Sequence, residues 1–378
     1  MLAKVSTRSI AKNAVFCARY SSAMLAVGKK KTEAFSVIEP DEMKLRSTVQ
    51  LRGRRFLPGA DKSTFPEYLS GPREDFPLAL RAEGDYSIQE WGKFCREEAD
   101  ANLIQYGAIL FRQLPVKSTD DFQLLFQSIG YPPMNYVGGS AHRENVASQV
   151  YSASDEPPDC CIDLHNEMSY SPVYNNKFFF FCLIPPDYGG ESVLCKNSDL
   201  FAQLDKKYVE KIMKKRIRYI RHCPDGAASN YLSWQKVFEV TTKEDAEEEM
   251  SRLGFEWEWR GNNSLTFWYL KDAMEPHYKT GKPLWFNQAH AMHASYFKAH
   301  PSFYGLKIPD NEYPLHSTYG DGEEFEPEFL QQIRDAGWKS AVGIPWNKND
   351  VLILDNMQVQ HARLSFKGKR KIVVALSN

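Results

Sequence analysis

Two places in this sequence set a histidine two residues ahead of a glutamate: His142-Arg143-Glu144 and Leu164-His165-Asn166-Glu167. In an extended segment, residues i and i+2 point to the same side. An imidazole and a carboxylate placed this way can share one metal ion. A further imidazole from a distant strand would complete a facial set of two histidines and one carboxylate, leaving adjacent coordination positions open. Those positions suit a bidentate 2-oxo acid and dioxygen, and the mixed nitrogen and oxygen donors suit ferrous iron.

The spacing by itself is a weak signal. With nine histidines and about one acidic residue in eight, roughly one match arises by chance. Context separates the two sites. His165 precedes a turn-rich stretch (Ser171, Pro172, Asn175, Asn176) and the apolar run Lys177–Ile184, which leads to the tight turn Gly189-Gly190-Glu191-Ser192. His142 follows Val137-Gly138-Gly139-Ser140, which reads as a loop, either solvated or facing a substrate. His165 and Glu167 are therefore the preferred pair.

The candidate for the remaining ligand is His361, which follows the buried-strand pattern Val351–Leu354. On spacing alone it reads equally well as a core histidine, and His222, His277, His290, His293, His300 and His316 stay open. His290 and His293 form an H-x-x-H pair that could hold a metal on a helix. No H-E-x-x-H is present, so a zinc hydrolase is a poor reading. The remote carboxylate of an oxo diacid needs a cation and a hydroxyl. Arg370 and Lys371 follow His361 on the last strand, and Ser192 offers the hydroxyl. Alternation lets only one of Arg370 and Lys371 face inward. A guanidinium would grip the carboxylate bidentately, which favours Arg370.

These residues need a scaffold. Ser87 to Asn102 has a helical apolar pattern opened by Ser87 and Glu90 at capping-box spacing. A second helix covers about Thr119 to Ser128. Helices are also expected from Ser198 to Met213 and over residues 241–253. Strands are expected over Ser47–Leu57, Tyr106–Arg112, Lys177–Ile184, Ser192–Cys195, Asp350–Leu354 and Lys371–Leu376, and residues 59–77 read as a loop. The fold class is mainly β with flanking helices, built as a closed or sandwich-like β-core.

Composition narrows the function classes. The 378 residues carry 43% apolar and 13% aromatic side chains, and a net charge of -1. That near-neutral balance gives no reason to expect nucleic acid or an anionic membrane as partner. No apolar run is long enough for a transmembrane helix. The seven cysteines are odd in number and contain no C-x-x-C. They read as buried thiols in a reducing compartment. Residues 1–32 are basic and hydroxyl-rich, with no acid before Glu33. They read as an organelle transit segment (plastid or mitochondrion) or as the disordered tail of a cytoplasmic enzyme. Residues 33–378 read as a single domain with helical insertions.

Taken in order, the stretches YGAILFRQLP, NYVGGSAHREN, VYSASDEPPD, IDLHNEMSY, FFFFCLIPPDYGGES and VLILDNMQVQHARLSF resemble the taurine dioxygenase and clavaminate synthase-like branch of the 2-oxoglutarate oxygenases. The resemblance runs from about residue 85 to the end of the chain. It implies a double-stranded β-helix (jelly-roll) core, ferrous iron, 2-oxoglutarate and dioxygen, with ascorbate supporting turnover. His165, Glu167 and His361 fall on the metal ligands, with glutamate where aspartate is commoner. Ser192 falls on a hydroxyl position usually held by threonine, and Arg370 or Lys371 on the cosubstrate-binding arginine. Arg363, Arg143, Asn230 and the segment Trp285-Phe286-Asn287 are candidate pocket residues. The implied reaction oxidises an unactivated C–H bond of a small polar or anionic, amino acid-like metabolite and releases succinate and carbon dioxide. The alternative is a non-catalytic jelly-roll protein that binds a metal or ligand. Neither the sequence nor the resemblance sets the oligomeric state.

Overall fold

The apolar run Lys177–Ile184 organises the molecule. Its residues from Lys177 to Cys182 are buried without alternation. A strand of that kind needs a packed layer on each face. The computed structural model describes residues 34–135, 145–154, 156–226 and 231–378, and it supplies both layers. Phe179 and Phe181 enter one core cluster, with Trp91, Phe122 and Phe126. Phe178, Phe180 and Cys182 enter another, with Leu194, Val342 and Val359.

The run is a central strand of an eight-stranded major sheet. The spatial order is Phe35–Val37, Leu78–Ala82, Ala108–Arg112, Val351–Asp355, Lys177–Ile184, Lys371–Ser377, Val150–Ser152, Asn145–Ala147. Its outer face carries the helices Ile88–Tyr106 and Thr119–Ile129. Both open with a capping box, Ser87 with Glu90 and Ser118 with Asp121, and both end on a left-handed glycine, Gly107 and Gly130. These caps satisfy helix-end groups that would otherwise lose hydrogen bonds on packing. The inner face packs on a minor sheet ordered Val342–Ile344, Ser192–Lys196, Val359–Arg363, Ile162–His165.

Two expected elements differ. Ser47–Leu57 is a series of turns rather than a strand, with only a bridge from Gln50 to Tyr68. Gly53 is left-handed, and Leu51 and Arg52 donate to the same carbonyl of Glu67, so the segment folds on itself. The helix expected from Ser198 to Met213 is two helices, Asn197–Phe201 and Lys206–Lys215. The Asp205 side chain accepts from Lys207 N and starts the second of these.

The segment between the minor-sheet strands Ser192–Lys196 and Val342–Ile344 is more than a helical insertion. It carries its own four-stranded sheet, ordered Glu256–Trp259, Leu265–Lys271, Ile217–Cys223, Leu315–Tyr319. Burial alternates along IRYIRHC, with Ile217, Tyr219, Arg221 and Cys223 on the buried face. On this sheet His222 sits opposite Thr266 and its Nδ1 lies 2.7 Å from Thr266 Oγ1. Burial, reinforced by the Arg260 cation, pushes the His222 pKa down to about 4. The folded state then keeps His222 neutral while the unfolded chain takes a proton below about pH 6.5. Stability is therefore full above that pH and falls as the pH drops toward 4. Between pH 7 and pH 5 urea unfolding should show a loss of about 2 kcal/mol that His222→Asn lacks.

Among the described residues no helix is long and apolar enough to cross a membrane. Six described cysteines are buried and unbridged. The basic N-terminal segment, the His142-Arg143-Glu144 match and Asn230 lie outside the described residues.

Candidate active site

His165 ends the strand Ile162–His165, and His361 lies in the neighbouring strand Val359–Arg363, directly opposite it. The register brings together two histidines far apart in sequence. Their ring centroids are 4.2 Å apart. Glu167 follows in a turn closed by Ser169 N donating to Asn166 O, with Met168 in the left-handed region. Its Oε2 is 4.0 Å from His165 Nε2 and 3.7 Å from His361 Nε2. Phe178 and Phe180 of the major sheet pack around the His361 ring.

Among the described residues three clusters could hold a metal: His165-Glu167-His361, His293-His316-Glu324 and Glu156-Cys160-His300. Tautomers separate them. His165 Nδ1 faces the Asp163 carbonyl at 2.8 Å. A carbonyl only accepts, so Nδ1 carries the proton and Nε2 turns a lone pair toward Glu167. The other histidines are arranged the opposite way. His293, His316 and His300 accept backbone N–H bonds at Nδ1, from Ser295, Ala294 and Ser302. Their Nε2 atoms then carry protons and donate to carboxylates instead of coordinating. The donor set around Glu167 thus fits a divalent metal of mixed nitrogen and oxygen preference.

The sequence did not single out what holds this site. Asn356, fully buried, grips the backbone of Glu167 from both ends: its Oδ1 accepts from Glu167 N at 2.7 Å and its Nδ2 donates to Glu167 O at 2.9 Å. Asn166 Nδ2 donates to Asn356 O in return. Asp163 is equally committed, accepting from Trp338 Nε1, Arg334 Nε and Leu164 N. Asn356→Ala leaves several buried groups unpaired, so it should destabilise the fold by about 2 to 4 kcal/mol in urea unfolding. The same variant should weaken metal binding about 10- to 100-fold by calorimetry.

Across the cavity from the histidines lies the second part of the site. Ser192 Oγ accepts from Trp346 Nε1 at 2.8 Å and from Arg370 Nη2 at 3.2 Å. Both oxygen lone pairs are engaged, so its own hydrogen points to a third acceptor. Arg370 Nε also donates to Gly190 O at 3.1 Å. Gly190 is left-handed, and a Cβ there would stand 2.9 Å from Phe366 Cβ and 3.1 Å from Arg370 Cδ, which accounts for the glycine. Burial, and then the Arg363 cation, push the Arg370 guanidinium down to about 9. It stays protonated at neutral pH, so this corner favours an incoming anion. Lys371, the other candidate anchor, is exposed to solvent and does not line the cavity. Strand alternation turns it outward.

One cavity is lined by His165, Glu167, His361, Ser192 and Arg370 together. Its other wall comes from the insertion, through Gln288, Met292, Tyr296 and Leu315. Arg363 also lines it, but its Nη atoms donate to the carbonyls of Glu156, Pro157 and Cys160. Trp285-Phe286-Asn287 is buried and does not line this cavity, and Asn287 Nδ2 donates to Ala273 O. His290 and His293 do not form a helical pair. His290 Nε2 bonds the Leu164 carbonyl, and His293 caps the helix Ala294–Ala299.

One cavity thus carries a histidine–carboxylate cluster able to hold a metal and a partly buried arginine–serine pair able to hold an anion. The model of the family described as taurine catabolism dioxygenase TauD, TfdA family matches residues 73–376, and the chain belongs to that family. It is an iron(II)- and 2-oxoglutarate-dependent dioxygenase. The chain is 31% identical to the dapdiamide synthesis protein DdaC of Enterobacter agglomerans, over 79% of this chain and 90% of that one. It is 27% identical to a clavaminate synthase-like protein of Arabidopsis thaliana, over 84% and 94% of the two chains. Among solved structures, AAD-2 in complex with Mn(II) and N-oxalylglycine is matched with a TM-score of 0.46 at 10% identity, covering 82% of this chain and 96% of that one.

Proposed function

We propose that this oxygenase oxidises an unactivated C–H bond of a small polar, amino acid-like metabolite, by hydroxylation, desaturation or ring closure, and releases succinate and carbon dioxide. Iron is held by His165, Glu167 and His361. The remote carboxylate of 2-oxoglutarate is held by Arg370 and Ser192. The observation that carries this reading is the single cavity that places both groups on its walls. The packing of the two sheets on one another supports a jelly-roll core, and the contacts among the described residues up to Asn378 support a single oxygenase domain. The relative named for dapdiamide synthesis supports a metabolite as substrate.

The bound iron supplies oxygen activation coupled to decarboxylation of the 2-oxo acid. The chain's own residues orient and exclude. His165 Nδ1–H on the Asp163 carbonyl keeps Nε2 free for coordination. Arg370 and the Ser192 hydroxyl fix one end of the cosubstrate by charge-assisted hydrogen bonds. Phe180, Met292, Phe297 and Leu315 give the cavity an apolar side that helps keep water from the reacting carbon.

The test is succinate release from 2-oxoglutarate, dependent on added iron and ascorbate, across small amino acids and their N-alkylated derivatives. Turnover stimulated by a member of that set supports the reading. No turnover with any compound, together with tight zinc binding, would favour the non-catalytic alternative.

A further inference from the structure

The cavity wall holds one more acidic side chain that the chemistry above does not use. Glu156 lines it, and its carboxylate is held by His300, whose Nε2 lies 2.7 Å from Glu156 Oε2. His300 Nδ1 accepts from Ser302 N at 3.1 Å, so Nε2 carries the proton and donates it to Glu156. That direction argues against a metal between Glu156, Cys160 and His300. Burial also pushes the Cys160 thiol far up, so it is no thiolate ligand at neutral pH.

The other acidic groups lining the cavity are already engaged. The Asp163 carboxylate accepts from Trp338, Arg334 and Leu164. Glu167 belongs to the metal cluster and Arg370 to the cosubstrate end. Arg363 lies beside Glu156 as a neighbouring cation. Yet the Arg363 Nη hydrogens point at backbone carbonyls. A carboxylate offers about four acceptor positions, and His300 fills one. Among the described residues, Glu156 is therefore the acidic group of the wall with acceptor capacity left for a cationic substrate group, while Arg363 keeps only a buried Nε–H, a donor, unpaired.

We propose that Glu156, oriented by His300, is the substrate's anchor and binds a protonated amine. The inference rests on the oxygenase reading and narrows it: the substrate class is an amine-bearing metabolite, with the free or N-alkylated ammonium group seated on Glu156. An N-acylated analogue lacks the charge and most of the donor hydrogens, so it is rejected. His300 is a positioning residue, acting only through Glu156.

The experiment uses the full chain loaded with iron and 2-oxoglutarate under anaerobic conditions. Calorimetry measures binding of alanine, valine and lysine, each as the free amino acid, the N-methyl and the N-acetyl derivative. The wild type should prefer the amines over their N-acetyl partners by about 10- to 100-fold. Glu156→Gln should erase that preference, and His300→Phe should reduce it. Binding of 2-oxoglutarate by each variant checks that it is folded. A wild type without amine preference, or a Glu156→Gln variant that keeps it, overturns the assignment. Aerobic succinate release is measured separately, and its absence counts against the oxygenase reading rather than against Glu156.

Discussion

His165→Ala will lower iron-dependent turnover of 2-oxoglutarate by on the order of a thousand-fold or more, because losing a ligand exceeds the 10- to 100-fold typical of losing a supporting residue. Removing His165 takes away the imidazole whose Nε2 lies 4.0 Å from Glu167 Oε2 and leaves two donors for the metal. The fold should tolerate the change. Its ring bonds within its own strand, at Asp163 O, and a single such bond contributes about 1 kcal/mol. Calorimetric titration with iron separates lost metal from lost fold. The matched control is His142→Ala, which should leave metal binding and turnover within about two-fold, because the metal ligands are expected elsewhere. If instead His142→Ala abolishes binding and His165→Ala spares it, the metal belongs to His142-x-Glu144.

The second large effect falls on the cosubstrate. Arg370→Ala should raise the KM for 2-oxoglutarate about 30- to 1000-fold, the equivalent of roughly 2 to 4 kcal/mol for losing one side of a buried charge pair. Ser192 and Trp346 would remain, but Ser192 Oγ would lose one of its two donors. Arg370→Lys keeps the charge and loses the fork, so it should fall between wild type and alanine. Lys371→Ala should leave the KM within about two-fold, since this side chain is exposed. Initial rates at varied 2-oxoglutarate with saturating iron measure all three. A large effect at Lys371 and none at Arg370 would reverse the roles.

Local features were readable from sequence where local physics decides them. The run Lys177–Ile184 announced a doubly buried strand because it is apolar throughout and bounded by turn residues. Ser87 with Glu90 announced a helix start because the cap is a contact between residues three apart. The strand Ile217–Cys223 escaped because Ile220 and Arg221 break its period of two: the apolar residue takes the less buried face and the charged one is buried. Ser47–Leu57 misled in the opposite sense: alternation of polar and apolar residues arose from turns around Gly53, not from a pleat. At the site, His165 and Glu167 are neighbours in sequence and could be paired by context. His361 could not be chosen from spacing, because its approach to His165 depends on a strand register set by tertiary packing. Asn356 and Glu156 were invisible for the same reason. Their partners, Glu167 and His300, lie 189 and 144 residues away.

The site is divided between two layers. His165, His361 and Ser192 belong to the minor sheet, whereas Arg370 stands immediately ahead of the major-sheet strand Lys371–Ser377. A dicarboxylate reaching from the histidines to Arg370 is therefore a removable cross-brace between the sheets. Ligand that binds only the folded chain stabilises it by about 2.7 kcal/mol at a hundred times its dissociation constant. Resistance to proteolysis and heat should then rise with the concentration of the cosubstrate, and Arg370→Ala should flatten that response. The durability of this fold becomes a readout of how much dicarboxylate surrounds it.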